Sequence, residues 1–273
     1  MTHPFQVTRP DGCRLQARLD GPEEAPCVVL VNSVLTDLAV WDAQIPALAA
    51  RYRVLRYDQR GHGGSDAPEG AMDFDRYGAD LLAVMDGAGV DRCAVVGLSM
   101  GCPTALAATA AAPHRFAAFV AVDGVARSAP GREAFWAERR DTARRDGMQA
   151  IADSTAPRWL PGLAPEAEQS QRLRRMIAAT PVAGFAAATH ALGAYDHAAA
   201  AAALACPVLA IAGAEDGAMP EAMARQFGGL PGAQTAVIPG AGHLPNFQTP
   251  DAFTRVLLAF LDGKAFQGTK EPA

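Results

Sequence analysis

The sequence predicts an α/β domain, a mostly parallel twisted sheet with helices on both faces and a helical insertion. Three observations carry that prediction. Short apolar runs alternate with stretches of helical periodicity along most of the chain. The alternation stops between Val122 and Cys206, where helical spacing, frequent Arg and several Pro leave no convincing strand. Finally, 273 residues that are 50% hydrophobic and 19% charged bury a large core without metal or disulfide staples.

Residues 5–8 and 14–19 read as a hairpin hinged on Asp11-Gly12, after a disordered start that includes His3. Cys27–Val31, bounded by Pro26 and Asn32, suits a strand buried on both faces. Residues 38–51 have apolar positions at helical spacing, and Arg53–Tyr57 alternates into a second strand that ends in the turn-rich stretch 58–65. A helix follows over 74–86, a strand over 92–97, an Ala-rich helix over 100–112 and a strand over Phe116–Val122. Beyond the insertion, strands at 206–212 and Gln234–Ile238 flank a helix at 220–228. The last helix spans 250–262, with Thr249 as N-cap and Pro250 in its first position. Residues 1–126 and 198–262 thus form the core, 127–197 a helical cap, and 263–273 a frayed tail that holds both lysines.

A net charge of −5 with no basic block argues against a nucleic-acid partner. No apolar run approaches the ~18 residues that span a bilayer, so no membrane partner is expected. The first residues lack a charged segment followed by an apolar one, so no secretory signal is read. Cys13, Cys27, Cys93, Cys102 and Cys206 are odd in number and lack metal-ligand spacing. Reduced thiols in a cytoplasmic protein without metal or cofactor fit that pattern.

Gly97-Leu98-Ser99-Met100-Gly101 falls between a strand and a helix. In that setting G-x-S-x-G is a sharp turn that presents the serine oxygen at the end of the sheet. The helix N-terminus beneath it favours developing negative charge. A serine hydroxyl needs a base to take its proton and an acid to orient that base. His243, after the strand Gln234–Ile238, is the base; His3, His114, His190 and His197 suit surface or structural roles, and His62 a buried one. Asp216, after the strand at 206–212, is the preferred acid, with Glu215 and Asp123 as alternatives. The N–H of Met100 supplies one oxyanion donor.

The chain resembles the α/β-hydrolase superfamily over essentially its whole length, and within it the 3-oxoadipate enol-lactonase branch. The resemblance rests on Asn32-Ser33-x-x-Thr36-Asp37-Leu38 with Trp41 and Gln44, on 54–65 with Asp58, Arg60, Gly63 and Ser65, and on 97–101. It extends through Trp136, Arg139, Ala143-Arg144, Gly147-Met148, Ala152-Asp153 and Arg158-Trp159 to Gly242-His243-x-x-Asn246. It implies Ser99, Asp216 and His243 as a triad, the spacing from Asp216 to Pro220 matching the usual acid loop. It also implies Val34 as the second oxyanion donor, because Asn32-Ser33 stands where relatives have His-Gly. Leu35 and Cys102 depart from it, each standing where Gly is usual.

The implied activity is hydrolysis of a small carboxylate-bearing lactone, such as 3-oxoadipate enol-lactone or a close analogue, through an acyl-enzyme. The alternatives are a broad carboxylesterase, a perhydrolase or C–C hydrolase on the same triad, and a non-catalytic receptor. Residues 127–197 hold ten arginines against eight acids, a positive segment that suits an anionic substrate. Most of these arginines suit a solvated surface. Arg139 and Arg158, each near a tryptophan (Trp136 and Trp159), are the ones expected to grip a carboxylate.

Overall fold

The computed structural model describes residues 3–68 and 70–266. Eight strands form one sheet in the order β1-β2-β4-β3-β5-β6-β7-β8. The antiparallel edge is β1 (His3–Thr8) and β2 (Arg14–Asp20), joined through Gly12, and β2 pairs antiparallel with β4 (Arg53–Tyr57). From β4 onward every pair is parallel, through β3 (Cys27–Val31), β5 (Cys93–Leu98), β6 (Phe116–Val122), β7 (Val208–Gly213) and β8 (Gln234–Ile238). His3 was expected in a disordered start. Instead it opens β1 opposite Leu19, because the hairpin register carries the edge pairing to that residue.

The five residues of β3 are all buried, and their side chains alternate between two cores. Val28 and Leu30 pack with Trp41, Phe185 and Phe253, while Cys27, Val29 and Val31 pack with Leu81, Leu106 and Phe227. Burying one such valine or leucine fully contributes about 1.5–3 kcal/mol, so the sandwiched strand is a main source of stability. The second core is closed by α2 (Phe74–Gly87), α3 (Gly101–Ala111) and α8 (Met219–Phe227); Asp73 caps α2 through Arg76 N–H at 2.8 Å.

Residues 38–51 do not form one helix. Leu38–Trp41 is a 3₁₀ turn, the i to i−3 bonds continue to Ile45, and α1 (Ile45–Leu48) is a separate short helix. Pro46 lacks the N–H that a continuous helix needs there. Gln44, at the break, is buried and donates to Asn246 O at 2.8 Å, a contact 202 residues away in sequence.

Between β6 and β7 lie α4 (Arg132–Trp159), α5 (Glu168–Ala179) and α6 (Val182–Gly193), followed by α7 (Ala198–Ala202). Gly147, at φ 80° and ψ 174°, breaks α4 into two rods, and an antiparallel bridge between Arg127 and Asp196 ties the ends of the helical segment together. Among the described residues no single helix is long and apolar enough to cross a membrane.

The last long helix is α10 (Pro250–Phe260). Thr249 precedes it but does not cap it; its hydroxyl instead donates to Pro245 O of α9 (Pro245–Gln248) at 3.2 Å. The tail does not fray from 263. Leu261–Ala265 continues as a π-helical turn, Ala265 is buried, and Phe266 stacks on Tyr52. The rest of the tail, 267–273, lies outside the described residues.

Candidate active site

Ser99 sits between β5 and α3 with φ at +51°, a region that L-residues seldom adopt. Two glycines make the turn possible by close approach. A Cβ on Gly97 would strike the carbonyl of Gly101, and one on Gly101 would strike that of Val31. The Ser99 N–H donates to Val122 O at 2.8 Å, which ties the turn to the end of β6.

His243, on the loop after β8, places Nε2 at 2.8 Å from Ser99 Oγ and Nδ1 at 2.7 Å from Asp216 Oδ2. The loops that carry Asp216 and His243 are laced together by Ala214 N–H to Ile238 O and Glu215 N–H to Ala241 O. Glu215 itself is exposed. The sequence alternative Asp123 directly follows β6, fully buried at φ +39°, and accepts the Gly213 N–H at 3.0 and 3.2 Å on its two oxygens. Burial, and then the neighbouring Asp216 charge, push its carboxyl well above the usual range.

Val34 and Met100 flank Ser99 in the cavity wall, and no hydrogen bond within the described residues uses either N–H. Both amides are therefore available to an oxyanion. The preceding turn is held by Asn32 Nδ2 to Thr36 O at 2.6 Å and Gln59 Nε2 to Asn32 O at 2.6 Å. Leu35 has φ +64°, a backbone that glycine adopts freely, and its side chain lines the cavity.

The cavity holds about 610 Å³. Its walls include Ser99, Asp216 and His243 from the sheet side and Trp136, Arg139, Arg158 and Trp159 from α4. All seven sequence-selected side chains thus meet in one place. Trp159 lies 4.9 Å from the His243 ring, and its carbonyl accepts the His243 N–H at 3.0 Å.

Residues 26–250 match the alpha/beta hydrolase fold family. The chain belongs to the α/β hydrolases. It is 31% identical to 3-oxoadipate enol-lactonase 1 of Acinetobacter baylyi over 95% of this chain and 97% of that one. Among solved structures, the enol-lactonase from Burkholderia xenovorans LB400 superposes with a TM-score of 0.85 at 33% identity, covering 95% and 100% of the two chains. A thermophilic esterase from Thermogutta terrifontis, solved with malate bound, gives 0.88 at 28% identity over 95% and 98%.

In this α/β hydrolase the sequence reading missed Arg132 and Phe135, which also line the cavity. The Arg132 guanidinium lies 4.2 Å from the Phe135 ring centre and 5.2 Å from that of Trp136. Residues 132, 135, 136 and 139 share one helical face, so their spacing was the available signal. Arg139 donates to Thr155 Oγ1. Burial, then the charges of Arg158 and Arg132, hold its guanidinium down to about 10. Among the described residues no carboxylate pairs with Arg132, Arg139 or Arg158, whereas Arg144, Arg145, Arg172 and Arg174 all have one.

The remaining expectations resolve simply. His62 is fully buried, its pKa pushed down to about 4 by burial, and its Nδ1 lies 3.2 Å from Arg60 O. Cys102 is buried in the first turn of α3, where burial pushes its thiol up and keeps it neutral.

Proposed function

We propose that the protein opens a small carboxylate-bearing lactone, 3-oxoadipate enol-lactone or a close analogue, through an acyl-enzyme on Ser99. Ser99 Oγ attacks the ring carbonyl while His243 Nε2 takes its proton, and Asp216 holds the imidazole tautomer with Nδ1–H directed at it. The Val34 and Met100 N–H groups hold the oxyanion. The ring C–O bond then breaks, His243 returns the proton to the leaving enol oxygen, and the enol collapses to a ketone. Water activated by His243 hydrolyses the ester and frees Ser99.

The observation that carries this reading is the combination in one cavity of a Ser99–His243–Asp216 chain at 2.8 and 2.7 Å with arginines that lack carboxylate partners among the described residues. The substrate carboxylate supplies the missing anion at Arg139 and Arg158, with Trp136 and Trp159 as walls for the ring. Residues 127–197 act as the cap that carries these groups, and the enzyme works on a small molecule in the cytoplasm.

The test is turnover of the enol-lactone against a panel of neutral aryl esters, with a fluorophosphonate probe to label Ser99. A clear kcat/KM advantage for the charged lactone supports the reading. Equal rates move a broad carboxylesterase ahead, the second reading favoured by the similarity to the Thermogutta esterase. Failure of the probe to label Ser99 would leave the receptor reading.

A further inference from the structure

We propose that Asp123 carries a proton and donates it as a hydrogen bond to the Asp216 carboxylate, a positioning residue behind the triad acid. The inference rests on the triad reading above for its kinetic consequences, although the protonation itself does not.

Asp123 has no contact with solvent, and the Gly213 N–H is shared between its two oxygens at 3.0 and 3.2 Å. Among the described residues it forms no ion pair with any Arg, Lys or His. An oxygen of Asp123, an oxygen of Asp216 and a ring nitrogen of His243 all lie within 4.8 Å of one another. The groups around it are few. Asp216 comes from the loop after β7 and His243 from the loop after β8, while Glu215 faces solvent and Cys102 on α3 is a neutral thiol.

Two adjoining carboxyl groups in such a place do not both ionise. Asp216 is partly exposed and has His243 Nδ1 at 2.7 Å, so the charge stays there. The proton therefore resides on Asp123, in agreement with the upward push on its affinity from burial and from Asp216. Its O–H then fills a lone pair of Asp216 that the imidazole does not use. That bond fixes the plane of the acid and withdraws charge from it. The strained φ of +39° at Asp123, a region that L-residues seldom adopt, is where the backbone absorbs this placement.

The experiment compares wild type with Asp123→Asn and Asp123→Ala. It measures kcat/KM for an aryl acetate against pH, thermal stability, and the infrared difference spectrum at pH 7. The carboxamide still donates to Asp216, so Asp123→Asn keeps the rate within about threefold and leaves the acid limb of the profile in place. Asp123→Ala loses about tenfold or more, and its acid limb moves up by about 0.5–1 pH unit because Asp216 regains its full charge. The infrared carbonyl band of a protonated carboxyl is present in wild type and absent from Asp123→Asn.

An acid limb that moves down in Asp123→Asn would mean that a negative charge had been removed, and the proposal falls. It falls equally if Asp123→Ala loses stability with an unmoved acid limb, which is packing alone, or if the infrared band is missing. Should Asp123→Ala not fold, the Asp123→Asn profile and the infrared band still decide. An active Ser99→Ala variant would sink the acyl-enzyme reading and leave the infrared result standing.

Discussion

Arg56 and Arg60 beside the antiparallel edge of the sheet differ in one respect from Arg132, Arg139 and Arg158 around the cavity. Arg60 holds Asp80 with two bonds at 2.8 and 2.9 Å and Asp11 with a third at 2.6 Å. Arg56 reaches Asp20 at 2.9 Å and Asp42 at 2.8 Å. These guanidiniums are nearly as buried as the strands, and each is paired with two carboxylates of the fold. The cavity arginines surround the Phe135 ring at 4.2 to 5.7 Å and meet one another's charge instead of a carboxylate. Like charges left together in a partly buried site are unfavourable. The fold supplies carboxylates to one set and, among the described residues, none to the other, which under the proposed function is the set that meets the substrate.

The sharpest attack on that division removes the nucleophile. Ser99→Ala should cost ~10⁴-fold or more in kcat, with the thermal midpoint unchanged. Retention of a tenth of the rate would mean that the chemistry lies elsewhere. Asp216→Asn comes next, with an expected loss of about 10³–10⁴-fold from the wrong imidazole tautomer. Glu215→Gln, being exposed, should leave the same aryl ester assay unmoved.

On the paired side, Asp80→Asn leaves Arg60 short of its bidentate partner and should destabilise the fold by about 3–5 kcal/mol in denaturant titration. Its preference between charged and neutral substrates should not change; a changed preference would merge the two sets. Smallest is the recognition effect. Arg139→Ala and Arg158→Ala should raise KM for the carboxylate lactone by about 10–100-fold, near 1.4–3 kcal/mol. Neutral aryl esters and the thermal midpoint should hardly respond. If neither variant separates the two substrate types, the unpaired arginines are not for recognition.

What could be read in advance was whatever is written in neighbouring residues. The buried run Cys27–Val31 and the turn at Gly97–Gly101 carry their own physics, the first in its apolar side chains and the second in its glycines. Asp216 and His243 were found from their positions just after strands. The break within 38–51 was legible in Pro46, whereas the contact that holds it, Gln44 reaching Asn246 from the far end of the chain, was not. Asp123 was legible as a second acid for the histidine, but not that both acids lie within 4.8 Å of it at once. Arg132 was legible and overlooked. It stands on the same helical face as Arg139, a spacing visible in the sequence itself.

The link between Trp159 and His243 has a consequence for anyone who treats the helical segment as an exchangeable part. The base loop hangs on the last turn of α4 through the His243 N–H, and Gln248 bridges the same two pieces by accepting from Gly242 N–H and donating to Pro161 O, both at 2.8 Å. Gln169 of α5 adds a bond to Phe247 O at 2.9 Å. A graft that replaces 132–193 with the helices of a relative, in search of a new substrate, would also replace the scaffold that aims the imidazole. The natural seam for such recombination is not at the two ends of the helical segment. It must include the stretch 240–248, so that the helical segment and the His243 loop travel together.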